Sequence, residues 1–327
     1  MAENTWAPTD YYQQLIEPPK SNHTQENCEL IKKLDESLGE FAFTGDITIN
    51  RVMSRSDEGD YLKEYVEVIS EDHGAFPMYI LTPKKDKERY PAVIALHGHG
   101  KYGQEAVLGV DEEDGEIHHQ FGVSLVQKGF KVFIPEIIGF GKRRLKRDIS
   151  EGNLSSCSRL GTALLLKGKT LAGKRVAEVR SLLRLIQEDP VVDSNRIGIV
   201  GFSGGALIAA YSMILAKEIQ GGVLSGFPST FQGSILDRVH CIDNYIPHMY
   251  EDADLPEWLM LIAPRPLYFE CGIHDKVFPR NAAETAIREV NQHYQKYDNG
   301  SFFGFDQFDG GHEVSGEKSF EWLRRMV

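Results

Sequence analysis

Between residues 92 and 305 the chain repeats one pattern: short, mainly apolar runs without polar alternation. They are Ala92–Leu96, Lys131–Pro135, Ile197–Val200, Pro266–Glu270 and Phe302–Phe305. A strand with one wet face alternates, whereas a strand buried on both faces does not, so these runs predict a parallel sheet covered by helices. The stretches 174–187, 206–217, 282–297 and 317–326 have helical spacing. Strand–helix alternation of this length predicts a doubly wound, mostly parallel α/β sheet. Two earlier strands, Tyr65–Ile69 and Phe76–Leu81, flank the turn Glu71–Gly74 and predict an antiparallel hairpin that opens it. Residues 1–60 are polar and read as a helical extension packed on the core, and 61–327 as a single domain.

Three connections interrupt the alternation: Lys101 to about His119, Lys142 to about Thr170, and Phe227 to Ile262. Loops leaving the carboxyl ends of parallel strands surround the ligand crevice, so these segments are the expected rim. With 36 Lys plus Arg against 48 Asp plus Glu, the net charge of −12 argues against nucleic acid or an anionic membrane as partner. No run approaches the ~18 apolar residues that span a bilayer. The first residues lack a basic leader and apolar core, so a soluble, cytoplasmic protein is expected. Cys28, Cys157, Cys241 and Cys271 are far apart and show no metal-ligand spacing. They read as free buried thiols.

The strongest local signal is Gly201-Phe202-Ser203-Gly204-Gly205, directly after the run Ile197–Val200 and before a helical stretch. A serine on a sharp strand-to-helix turn is exposed above the sheet and needs small neighbours for the turn to close. The plainer alternative is a glycine-rich turn with Ser203 as helix cap. A serine hydroxyl becomes nucleophilic only when a base takes its proton and an acid holds that base in one tautomer. In the order serine, acid, histidine, Asp275 and His312 follow at expected strand ends. Glu270 and Asp309 are weaker acids for the role, one too early in its strand and the other too close to His312. Asp275 as a helix cap and His312 as a turn residue remain the structural alternatives.

Acyl transfer also needs two backbone N–H donors for the oxyanion. Gly204, after the serine, is one; His99, in His97-Gly98-His99-Gly100, is the other. The alternating histidines have no third ligand nearby in sequence, so no metal is expected, and His97 reads as a support for the loop. Arg143, in the basic patch Lys142–Arg147, could meet an acidic sugar or phosphate, or simply form a charged surface. Tyr245 and Trp258 lie in a stretch rich in aromatics that could pack sugar or form a lid. The acidic run Asp111–Glu116 lacks calcium-loop spacing and reads as a solvated loop.

The chain resembles α/β-hydrolases of the dienelactone-hydrolase-like kind, in particular bacterial acetyl xylan esterase-like enzymes. The resemblance is carried by His97–Gly100, Gly201–Gly205, Asn244–Pro247, Ala263–Leu267, Asp275–Pro279 and Gly310–Glu313. It covers about residues 60–327 and implies a serine carboxylic-ester hydrolase acting on short-chain acetyl esters, with carbohydrate esters among the substrates and no cofactor. The expected partner is a small-molecule or oligosaccharide ester, with self-association into a homo-oligomer left open. An amide or peptide hydrolase with the same three residues, or a non-catalytic binding protein on this scaffold, are the competing readings.

Overall fold

The computed structural model describes residues 8–19, 27–84, 87–110, 116–297 and 300–327. Its strands are β1 (Ile47–Asp57), β2 (Tyr61–Ser70), β3 (Gly74–Pro83), β4 (Tyr90–Leu96), β5 (Lys131–Pro135), β6 (Val192–Phe202), β7 (Gly221–Ser225), β8 (Leu267–Gly272) and β9 (Phe303–Phe308). They form one sheet in the order β1-β2-β3-β5-β4-β6-β7-β8-β9. Pairs from β1 through β3 to β5 are antiparallel, and those from β5 to β9 are parallel. Every residue of β4, β5, β7 and β8 is buried. Unbroken burial explains the absence of polar alternation in these strands. The α/β sheet architecture is the one expected.

The principal helices are α1 (Thr9–Leu15), α2 (Asn27–Leu38), α3 (Phe121–Gln127), α4 (Cys157–Leu165), α5 (Leu171–Gln187), α6 (Gly204–Leu215), α7 (Arg280–Tyr294) and α8 (Ser319–Met326). On one face of the sheet α2, α5, α6 and α7 bury Leu34, Leu38, Val176, Val179, Leu183, Ile208, Ile287 and Val290 in the larger core. On the other, α3 and α8 bury Phe121, Leu125, Phe320 and Leu323. Helix α6 is apolar nearly all round and almost wholly buried, as a helix at the centre of a core must be. The Arg265 guanidinium donates to the carbonyls of Ala216 and Ile219 at 2.9 Å, just beyond its C-terminus. A cation there satisfies carbonyls that have no partner inside the helix.

Two elements differ from expectation. Residues 47–57 are a strand rather than part of a helical extension, so three antiparallel strands open the sheet instead of a hairpin. Strand β1 lies at the sheet edge and exposes both faces, leaving no apolar periodicity to read. It is tied to β2 by Arg51–Glu67 and Arg55–Glu64 pairs. Strand β7 was not expected either. Its five residues include two glycines, and β6 and β8 on either side make it a strand. Among the described residues no helix is long and apolar enough to cross a membrane.

The register places the crevice. The strand following β4 pairs on one side of it and β6 pairs on the other, the arrangement that opens a cleft beyond the carboxyl ends. Leu96 lies opposite Gly201 and Gly272 opposite Phe308. The loop at His97–Gly100 therefore emerges beside Ser203, and the Asp275 loop beside Gly310–His312.

Candidate active site

Ser203 joins β6 to α6 with φ +52° and ψ −118°. A non-glycine residue in such a conformation costs about 1–3 kcal/mol and persists only where its surroundings enforce it. The surroundings do so by close packing. A Cβ at Gly201 would lie 2.3 Å from the Gly205 carbonyl oxygen, and one at Gly205 would lie 2.2 Å from that of Leu96. The Ser203 N–H donates to the Ser225 carbonyl at 2.8 Å, fixing the turn to β7. Its hydroxyl is left at the N-terminus of α6, where the first amides have no intrahelical acceptor.

His312 bridges the serine and an acid. Its Nε2 lies 2.9 Å from Ser203 Oγ and its Nδ1 lies 2.7 Å from Asp275 Oδ2. The other oxygen of Asp275 accepts the Val277 and Phe278 N–H groups at 2.7 and 2.9 Å, so one oxygen anchors the side chain and one faces the ring. With a proton on Nδ1, Nε2 is left to accept from the hydroxyl. Phe278 stacks on the imidazole at 5.8 Å and Phe202 tilts against it at 4.9 Å. The loops are clamped together, since a Cβ at Gly272 would lie 2.0 Å from the Gly311 carbonyl oxygen. Glu270 instead accepts from Gly316 N–H and Ser319 Oγ. Asp309 pairs with the exposed His274.

His97 is buried and pins its own loop. Its Nδ1 meets the Gly98 carbonyl at 2.8 Å, and its Nε2 accepts the Ile137 N–H at 3.1 Å. The Gly98 N–H donates to His118 Nε2 at 3.0 Å. His119, the next residue, reaches Glu313 at 2.7 Å, so the first long connection is tied to the loop that carries His312. The sequence reading assigned His118, His119 and Glu313 no role; only their convergence reveals one. The acidic run at 111–115 lies outside the described residues.

His99 packs its ring against Gly204, where a Cβ would come within 2.4 Å of Cε1. Its Nε2 lies 3.2 Å from Asp243 Oδ2. Burial works against a charge on this ring, but Asp243 outweighs it and raises the pKa to about 9. Asp243 also binds the fully buried Arg175. Burial opposes its charge too, yet the two cations hold it far below the usual carboxylate range. Arg175 Nη2 lies 3.1 Å from Cys157 Sγ. A hydrogen bond from Cys241 lowers the Cys157 thiol and pushes Cys241 up. None of the four cysteines is in a disulfide, and Cys28 is exposed and Cys241 half-buried rather than buried. Sequence spacing hid this cluster, because 84 positions separate Cys157 from Cys241.

Two of the three residues expected to touch substrate are committed elsewhere. Arg143 grips Glu178 through two hydrogen bonds of 2.7 and 2.9 Å, donates to the Glu136 carbonyl and lies over Phe76. Its guanidinium is a half-buried structural cation. Trp258 is fully buried, with Nε1 donating to the Met249 and Ala253 carbonyls at 3.1 Å. Tyr245 alone is open, at 38% exposure, its hydroxyl accepting the His240 N–H.

The model of the dienelactone hydrolase family matches residues 76–304. The chain belongs to that family. The resemblance read from its motifs therefore holds. A Bacillus subtilis (strain 168) protein described as a candidate hydrolase, YtaP, is 28% identical over 228 residues, 68% of this chain and 73% of that one. Among solved structures, a candidate acetyl xylan esterase from Bacteroides fragilis has a TM-score of 0.73 at 14% identity, covering 92% of this chain and 81% of its own. A glucuronoyl esterase from Solibacter usitatus has a TM-score of 0.66 at 12% identity, covering 95% and 94%. Acetyl xylan esterase 1 from Thermoanaerobacterium has 0.59 at 15%, covering 98% and 99%. These likenesses are of fold.

Proposed function

We propose that this member of the family is a serine carboxylic-ester hydrolase, working through an acyl-enzyme on short-chain esters of the acetyl type, carbohydrate esters included. One observation carries the reading: a single imidazole lies within hydrogen-bond distance of both a strained serine hydroxyl and a buried, anchored carboxylate. His312 takes the Ser203 proton as Oγ attacks the ester carbonyl. Asp275 orients the ring and balances the imidazolium. The backbone amides of His99 and Gly204 hold the oxyanion, and the alcohol leaves with the proton from His312. His312 then draws a proton from water, which attacks the acyl-enzyme and frees the acid and Ser203.

The fold neighbours named as acetyl xylan and glucuronoyl esterases favour an ester over an amide. Four cysteines outside any disulfide accord with a reducing, cytoplasmic setting. The decisive experiment treats the protein with a fluorophosphonate and maps the adduct by mass spectrometry. Modification at Ser203 with loss of nitrophenyl acetate turnover is expected; active protein whose Ser203 stays unmodified sinks the reading. Comparing acetyl esters with aminoacyl amides tests the bond class.

A further inference from the structure

Three segments that leave the sheet at separate points meet beside the candidate active site. His99 follows β4, Cys157 opens α4, and Cys241 lies in the long connection after β7. Their ligating atoms lie within 4.8 Å of one another. Zinc binds thiolate sulfur at about 2.3 Å and imidazole nitrogen at about 2.0–2.1 Å, so side-chain movements on the order of an ångström close the set on one ion. The Nδ1 edge of His99 faces Gly204, leaving Nε2 on the side of Asp243. That nitrogen is buried and makes no aligned hydrogen bond, a rare state for a buried polar atom. Asp243, itself fully buried, stands 3.2 Å from it, the same oxygen being held by Arg175.

The donor set selects its ion. Two sulfurs and an imidazole suit a thiophilic metal and not magnesium or calcium, which take oxygen. Two thiolates, a neutral imidazole and a divalent cation sum to zero, and Arg175 cancels Asp243 alongside them, so the buried assembly stays neutral. We propose that His99, Cys157 and Cys241 form a three-ligand binding site for a thiophilic divalent cation of the zinc type, with Asp243 beside the imidazole. The ion ties the loop of His99 to the two long connections of the rim and fixes the ring that lies on Gly204. This inference does not rest on the hydrolytic reading, because it uses the His99 side chain, whereas that reading assigns only the His99 backbone N–H.

The test titrates the reduced, full-length protein with cobalt(II) and follows the thiolate-to-metal charge-transfer band. One equivalent should saturate the band, and added zinc should bleach it. Cys157→Ser and Cys241→Ser should each abolish it, whereas Cys28→Ser, Cys271→Ser and Ser203→Ala should keep it. Folded wild-type protein that shows no band, or a band surviving in both Cys157→Ser and Cys241→Ser, overturns the site. Should either serine variant fail to fold, X-ray absorption on the zinc-loaded wild-type protein decides. Two sulfur ligands support the site, and one or none overturns it.

Discussion

Two histidines meet the Ser203–Gly204 turn, His312 at the serine and His99 at the glycine, and they are built from the same parts to different ends. His312 sits between Asp275 and a hydroxyl; His99 sits between Asp243 and two thiols. Asp275 is anchored by two backbone N–H groups and offers its remaining oxygen to one ring. Asp243 faces that ring and a buried guanidinium together. A carboxylate with one ionisable neighbour can serve proton transfer, because only that neighbour changes charge. A carboxylate shared with a fixed cation is locked into a network in which removing any member strands a charge. The first arrangement suits reaction and the second suits holding a rim in place.

This contrast is open to attack at several points. Ser203→Ala should lower nitrophenyl acetate hydrolysis by on the order of 10⁶-fold while leaving the urea midpoint nearly unchanged. Retention of a tenth of the rate would remove the nucleophile from the account. Asp275→Asn should lower kcat by about 10⁴-fold through the wrong imidazole tautomer, visible in steady-state kinetics with KM little altered. Arg175→Met addresses the other side. It strands Asp243 and should cost about 3–5 kcal/mol in urea unfolding. A loss too small to measure would mean that water already reaches the pair.

The smallest expected effect concerns acid stability at Glu178. Burial opposes its charge, but Arg143 outweighs burial and holds the carboxyl below its ordinary 4.5. A depressed folded pKa means the stabilisation is complete above about pH 5 and is lost as pH falls through the lower folded value. Glu178→Gln should therefore flatten the decline in unfolding free energy on that acid limb. An unchanged slope would assign the acid loss to other carboxylates.

The parallel body of the sheet was legible because burial on both faces writes a local signature, seen in β4, β5 and β8. Strand β1 was not, since an edge strand exposed on both faces has no apolar pattern to display. Ser203, Asp275 and His312 stood out because each lies in a short glycine-bearing or strand-end motif whose geometry is set locally. Arg143 and Trp258 were misplaced for the converse reason. A cation or an indole looks the same in sequence whether Glu178 and backbone carbonyls satisfy it or a ligand does.

Residue order alone determined the layered α/β architecture and the turn that strains Ser203, because strand burial and steric closure act over neighbouring residues. Tertiary structure alone decided which carboxylate meets which imidazole, and that His99, Cys157 and Cys241 converge around Arg175 and Asp243. Electrostatics and ligation depend on distance in space, and no spacing along the chain encodes a meeting of segments 58 and 84 positions apart.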